Sequence, residues 1–537
     1  MTQAILFGNH QKASYFYDTS MDIAVVSIDS VNSWSYFANS SCSLKALVYG
    51  RILNLKKGLS NNYAKYLLNA YKEGKISELN GSFSAVLWNS SKAETILLMD
   101  RFGTRPLYYA TSDNELVFSS HPRAILCYPM FKKRLNEKTL VKFLMYGKIG
   151  ILGDDTWFEG IKCMPSASYL KFSKGKFEIK KYWDLYYHQK LNDEEEMVRR
   201  LTKAFFRAVN VRARSVNSNL GLLLSGGLDS RSVLSAINEQ YKSKICAVTF
   251  GIKGCDEIAV SQKVTKNLKI KHQVIEFDNI LVKYAKDVVY LTDGMDTVYV
   301  SYIPYAARRI KEIGIHYYLQ GYMFDLLLGG SYLDKRLFKI KNIHDFVKIL
   351  EKKSMLFTPD ELKNLLNEKF IDQINLVRRE FIKITKESKG DCFPNKADYF
   401  FINTRVRRYT LMGSIIFREF IEELLPTIDN EVIDIIRKIP PKLRFGHKIF
   451  RKFLITLNPE MSKIPYQKTL IPPILPSKLW RISRVFFFTI YILEKVLKVK
   501  IGIKHSYFDF NEILRKSCLL YTSDAADELD GVDLGGR

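Results

Sequence analysis

Hydrophobic and polar positions change rhythm twice along this chain. Up to about residue 185 they alternate in short runs broken by turn residues. Ser82–Trp88, Thr95–Met99 and Leu116–Phe118 there read as strands, with successive side chains on opposite faces. From about Asn192 charged residues adopt helical spacing, starting with Glu194–Leu201. Next come strand Gly221–Ser225, a helix, strand Ile245–Phe250, a second helix and strand Gln273–Phe277. Strands alternating with helices predict a parallel sheet covered by helices. Beyond about residue 340 the periodicity is nearly all helical, and no internal repeat is evident. The pattern predicts a strand-rich domain over residues 1–185 and a parallel-sheet domain over 195–517 that ends in helices.

The sharpest local signal sits where the first parallel strand ends. The apolar run Gly221-Leu222-Leu223-Leu224 stops at Ser225-Gly226-Gly227, whose glycines let backbone N–H groups approach an anion. Asp229 and Ser230 fall at the start of the helix that carries Val233, Leu234, Ala236 and Ile237. A strand, a glycine turn and a helix N-terminus make a phosphate site, because the helix dipole and unpaired amides favour negative charge. Asp229 would repel phosphate there unless a cation lay between them, which points to magnesium on a polyphosphate. The plainer alternative is a strand–turn–helix junction with glycines for geometry alone. The full string Ser-Gly-Gly-Leu-Asp-Ser resembles the pyrophosphate loop of ATP-pyrophosphatases, enzymes that split ATP into AMP and pyrophosphate.

Composition narrows the partners more than the fold. With 47% hydrophobic residues in 537, the chain is globular and long enough for two or three domains. Its net charge of +26 is spread along the sequence with no dense basic block. No nucleic-acid motif accompanies it, so the charge reads mainly as a solvated surface. Seven scattered cysteines without a CxxC pair give neither a disulfide framework nor a zinc site, which fits a reducing cytoplasm. Met1-Thr2-Gln3 opens no signal peptide. The apolar run Val485–Leu493 is too short to span a bilayer and reads as a core helix, with contact to a membrane surface as the alternative. From Cys518 to Arg537 the chain turns abruptly acidic and resembles a translated sequencing adapter; the alternative is a genuine acidic tail.

Taken together, the two halves resemble the asparagine synthetase family. Asn80–Trp88 and Asp100–Tyr109 are similar to two of the family's glutaminase-domain strands, and Thr156–Ile161 with Lys181–Asp184 to its exit from that domain. Ser225–Ser230, Asp256-Glu257 leading to His272, and Leu319–Gly330 resemble the synthetase half. The implied fold is an α+β sandwich of the N-terminal-nucleophile type, then an α/β parallel sheet of the ATP-pyrophosphatase (adenine nucleotide alpha hydrolase-like) type with a helical C-terminal part. The resemblance implies ATP and Mg2+, with Asp229 and Asp325 as the metal carboxylates. Ser225, Gly226, Gly227 and Ser230 would cradle pyrophosphate, and Leu224, Phe250 and Gly321 would surround the adenosine. Asp325 alone would read as a helix cap. Lys448 matches the family lysine near the α-phosphate, where a cation stabilises growing charge; Arg451 and Lys468 are further candidates for phosphate contacts. A homodimer is compatible with the resemblance.

Departures from the family bear on the substrate. Active members release ammonia from glutamine with a cysteine just after the initiator Met; here Thr2 stands there, and a threonine can be an N-terminal nucleophile in other folds. The family's Asn-Gly-Glu is Tyr49-Gly50-Arg51, and no Arg-Gly-Pro-Asp string occurs, so glutaminase activity is expected to be lost. Tyr322 replaces a glutamate that handles a proton or the incoming amine. Tyr322, Met323 and Phe324 are expected to narrow and dry the acceptor site, disfavouring free aspartate. Leu424–Asp429 lacks the family's arginine. The implied activity is an amide ligase that adenylates a carboxylate for attack by an amine or ammonia. Alternatives are glutamine-hydrolysing asparagine synthesis proper, a non-catalytic ATP-binding scaffold, and an RNA-modifying ATP-pyrophosphatase.

Overall fold

Alternation with a period of two builds the N-terminal half. The computed structural model describes residues 14–18, 23–27, 34–480, 482, 489 and 493, less 42, 54–61, 113–114, 129–130, 148–151, 189–192, 217, 278–279, 281–282 and 477–478. A six-stranded antiparallel sheet runs in the order Lys176–Lys181, Ser168–Ser173, Glu94–Met99, Gly81–Asn89, Leu44–Ile52, Trp34–Ala38. Ala46, Val48, Ala85, Leu87 and Leu98 face a helix at Tyr63–Lys72, which inserts Ala64, Leu67 and Leu68. Their neighbours Leu47, Val86, Trp88, Leu97 and Met99 face the other way, against Leu107, Tyr109 and Met164. Tyr109 belongs to a three-stranded sheet of Leu116–Ser119, Tyr108–Thr111 and Lys162–Cys163. Both faces are covered, so the central strands read as nearly continuous apolar runs. Asp100 fixes the turn between the sheets, taking the N–H groups of Phe83 at 3.0 Å and Phe102 at 2.8 Å. This half is the expected mixed α+β arrangement.

The second half contains a wholly parallel five-stranded sheet, ordered Lys271–Glu276, Ile245–Gly251, Leu220–Leu223, Tyr317–Leu319, Glu422–Leu424. Three of these strands match the sequence expectation to within a few residues. Tyr317–Leu319 and Glu422–Leu424 are additional, each only three residues long. The first strand in sequence, Leu220–Leu223, lies in the middle. The chain winds outward on one side through the second and third strands, then crosses to the other side for the fourth and fifth. Such a reversal leaves a crevice at the carboxyl ends of the two strands that flank it. Long helix Glu194–Arg214 is capped by Asp193, which accepts from Glu195 N–H at 2.9 Å, and has three acids in its first turn. It buries Met197, Leu201, Phe205 and Ala208 beneath the helix Lys448–Leu457.

Charged side chains tie the halves together. Arg105 and Glu422 form an ion pair whose side chains are 0% and 2% exposed. Asn80 donates to Asp429 at 2.9 Å, and Arg51 lies over the Tyr317 ring at 4.9 Å. Among the described residues no helix is long and apolar enough to cross a membrane, and none of the five described cysteines is in a disulfide. Thr2, the adapter-like segment 518–537 and most of the run Val485–Leu493 lie outside the described residues.

Candidate functional site

The crevice at the sheet's reversal is where the predicted chemistry converges. Leu220–Leu223 ends in the loop Leu224–Gly227, and helix Leu228–Ser235 starts directly behind it. Leu224 is held in the sheet by its N–H on Val248 O at 2.9 Å. Ser230 reaches back to accept the Ser225 N–H at 3.0 Å, and Ser225 Oγ accepts from Gly227 N–H at 3.1 Å. The Gly226 N–H donates to the carboxylate of Glu257, so a loop amide already engages an anionic group. A Cβ on Gly226 would lie 2.6 Å from Gln467 Cβ, so the approach of that segment requires glycine.

The neighbouring strand delivers the second carboxylate. Tyr317–Leu319 leads through Gly321 to the π-helical turn Asp325–Gly329. A Cβ on Gly321 would meet Asp229 backbone carbon at 2.7 Å, which places this turn against the loop helix. Asp325 donates its backbone N–H to Asp229 Oδ2 at 3.0 Å. Asp325 Oδ1 lies 2.5 Å from His447 Nε2, and its Oδ2 is 3.9 Å from Lys468 Nζ. The Asp325 carboxylate therefore bonds His447 and does not cap its own turn.

Electrostatics distinguishes the two acids. Burial, then the Asp325 charge, pushes the Asp229 carboxyl well above the usual carboxylate range. Burial acts on Asp325 too, but the hydrogen bond and charge of His447, with Lys468, outweigh it and hold Asp325 below that range. Glu257 is raised, chiefly by burial. Two adjacent hard-oxygen donors, one destabilised by the other's charge, suit a divalent cation. Magnesium commonly takes one or two protein carboxylates and completes its shell with phosphate oxygens and water. No group of three or more metal-binding side chains occurs among the described residues. That donor set fits magnesium held jointly with a polyphosphate.

Two domain models match the chain in order: a glutamine amidotransferase domain over residues 59–183 and asparagine synthase over 200–460. The chain belongs to the asparagine synthetase family. It is 24% identical over 412 residues to asparagine synthetase [glutamine-hydrolyzing] 1 of Bacillus subtilis, covering 70% of this chain and 64% of that relative. Asparagine synthetase [glutamine-hydrolyzing] 3 of the same organism is 24% identical over 446 residues, 75% of this chain and 70% of the relative. Amidase chyE of Penicillium rubens is 26% identical over 224 residues, 38% and 32% of the two chains. The chain thus spans just under two thirds of the length of the first of these relatives.

Several residues singled out by the family resemblance are placed elsewhere than expected. Tyr322 is buried, with its hydroxyl on Val406 O at 3.3 Å and its carbonyl accepting from Thr427 at 2.6 Å. Burial pushes its phenol far up from the usual tyrosine range. Met323 and Phe324 are also core residues: Phe324 stacks on Phe205 at 4.9 Å and meets Phe450 at 5.2 Å. The expectation that these three line an acceptor site is therefore corrected; the turn between strand Tyr317–Leu319 and the π-helical turn Asp325–Gly329 packs their side chains into the core. Arg451 is spent on backbone carbonyls, with Nε on Pro473 O at 2.8 Å, and is not free for phosphate. Lys448 is exposed at the first turn of its helix, one residue beyond His447. Phe250 is the penultimate residue of strand Ile245–Gly251, its ring 5.8 Å from Tyr302.

The site also contains residues that sequence reasoning missed. His447 was hidden beside the matched lysine. Arg231, one position beyond the motif, is fully buried and donates to Ile464 O at 2.7 Å and Pro465 O at 2.8 Å. It ties the glycine loop to the segment that carries Lys468. An arginine on the first turn of a helix otherwise headed for the core was the available signal.

Proposed function

We propose that this chain is an ATP-dependent, AMP- and pyrophosphate-forming ligase that joins a carboxylate to an amine or ammonia. One observation carries the reading. Asp229 and Asp325, from the helical turns that follow the two strands flanking the sheet's reversal, meet through one hydrogen bond beside the amides of Ser225–Ser230. A carboxylate oxygen would attack the α-phosphorus while the bond to pyrophosphate breaks. The amine nitrogen would then attack the acyl carbon, releasing AMP and a proton. Asp229 and Asp325 would hold magnesium, which supplies charge neutralisation on the departing pyrophosphate. The loop would bind phosphate oxygens, Leu224, Phe250 and Gly321 would enclose the adenosine, and Lys448 would approach the α-phosphate. Tyr322 takes no part.

We read residues 1–185 as an N-terminal-nucleophile-type sandwich that has lost glutaminase activity, and 195–517 as the ligase domain. Arg51, which stands where the family has a carboxylate, supports this: it is turned to Tyr317 and to Ser215 O at 3.4 Å in the second half. The acceptor is a carboxylate other than free aspartate, since Leu424–Asp429 lacks the family's arginine and Asp429 is committed to Arg212 at 3.0 Å. Small-molecule substrates in a reducing cytoplasm complete the reading.

ATP–pyrophosphate exchange across a panel of carboxylic acids tests it, with ammonium or glutamine as nitrogen source in a second step. Exchange should depend on magnesium and on one class of acid, and should fall at least 100-fold in Asp229→Asn, since a lost charged ligand removes several kcal/mol of transition-state stabilisation. Equal, metal-independent nucleotide binding in wild type and variant would refute the ATP site. Strongest exchange with aspartate would make the chain a plain asparagine synthetase.

A further inference from the structure

The His447 backbone is left-handed, φ 62° and ψ 24°, immediately after Gly446, also left-handed at φ 69°. A non-glycine residue in that region is disfavoured and persists only where its surroundings fix it. What fixes it is visible. The imidazole lies against Phe450, Tyr466 and Trp480, with ring centroids 6.1–6.2 Å away. Its Nδ1 is buried with no hydrogen-bond partner among the described residues. Its polar contact is Asp325 Oδ1, 2.5 Å from Nε2. An ionised carboxylate only accepts, so Nε2 carries the proton and donates it. The opposing wall is Gly329, where a Cβ would lie 2.4 Å from Asp325 Oδ1 and 2.9 Å from the His447 ring. A glycine on one side and a left-handed turn on the other thus make room for this one bond.

We propose that His447 is the positioning residue for Asp325: its Nε2–H fixes Oδ1, and so presents Oδ2 with the Asp229 carboxylate to a divalent cation. This rests on reading Asp229 and Asp325 as that cation's ligands. Groups that orient a ligating carboxylate typically contribute 10–100-fold in metal affinity. His447 therefore governs magnesium capture without touching nucleotide, whereas its neighbour Lys448 would act on phosphate.

The test is calorimetric titration of Mg2+ into full-length protein with ATP, and of ATP alone in chelator. His447→Phe keeps an aromatic ring among Phe450, Tyr466 and Trp480 but removes the donor; His447→Gln restores a donor without the ring. His447→Met carries the same comparison if the aromatic substitute does not fold. We expect the donor-free variant to need at least tenfold more Mg2+ for half-saturation, with metal-free ATP binding and melting temperature near wild type. His447→Gln should recover to within about threefold. Wild-type Mg2+ dependence in the donor-free variant, or equal impairment of the glutamine variant, would overturn the proposal. Wild-type protein that binds ATP without regard to Mg2+ would instead remove the cation site itself, and the proposal with it.

Discussion

The bond between the Asp325 backbone N–H and the Asp229 carboxylate depends on what is absent from Gly321. With its Cα packed on the backbone and Cβ of Asp229, any side chain there must displace the loop helix, because the obstructing atoms are largely main chain. Gly321→Ala should therefore cost about 1–3 kcal/mol of stability, as overpacking does. It should also lower exchange activity by at least tenfold through loss of the 3.0 Å Asp325-to-Asp229 bond. Thermal melting and pyrophosphate exchange on the same preparation check both. The glycines at 226 and 227 were legible as turn chemistry, whereas Gly321 was singled out only by the family resemblance, as a position around the adenosine. The three bulky residues after Gly321 were misread, because sequence order does not say which way a turn directs its side chains.

Short elements carry more of this site than long ones do. Glu422–Leu424 begins with two adjacent glutamates, which resemble a solvated surface, yet both are buried at the end of a parallel sheet. Each has been given a cation: Arg105 for Glu422, and Arg418 for Glu423 at 3.1 Å, with Tyr318 donating to Glu423 at 2.9 Å. Arg105 arrives from the other domain, 317 residues away in sequence. Removing one member of a buried pair strands the other, at a cost of about 3–5 kcal/mol, whereas replacing both with apolar residues is often near neutral. Glu422→Leu should therefore lower the denaturation midpoint substantially, and Arg105→Met added to it should recover most of the loss. Denaturant unfolding followed by tryptophan fluorescence distinguishes coupling from two independent losses.

Across the whole molecule, the seam between the halves is where stability should depend on pH. His121 precedes the short helix Pro122–Leu126 of the N-terminal half. Its ring lies 3.4 Å from Asp293 and 3.4 Å from Glu419, both in the second half, and Arg123 also pairs with Asp293 at 3.3 Å. Burial alone would lower the imidazole, but hydrogen bonds and charges from Asp293 and Glu419 outweigh it and raise it to about 9. A raised histidine stabilises fully below its unfolded value of about 6.5 and loses that contribution as pH climbs through the folded value. About a quarter of the side chain is exposed, so solvent screening keeps the effect modest. His121→Gln should melt below wild type at pH 6, and the gap should close by about pH 10. A constant gap in melting scans would show that His121 contributes packing and not charge.

The sequence alone determined the family, the two-part order of strand alternation followed by strand–helix repeats, and the glycine loop with Asp229. Each depends on neighbours within a few residues, where backbone freedom, side-chain periodicity and capping act. Three parallel strands were legible for the same reason: long apolar runs between helices have few other uses. Tertiary structure alone decided which distant groups share a site. Asp325 is recognisable in its motif, but only the winding of the sheet brings it to Asp229. His447 is 122 residues from Asp325 and Arg231 is 233 from Ile464, and neither spacing carries local information. The two three-residue strands were invisible because they are too short for a period to register, and the charges of Glu422 and Glu423 disguise burial that partners from elsewhere make affordable. Local rules set what each segment can be; the long-range pairing of charge and shape set what it faces.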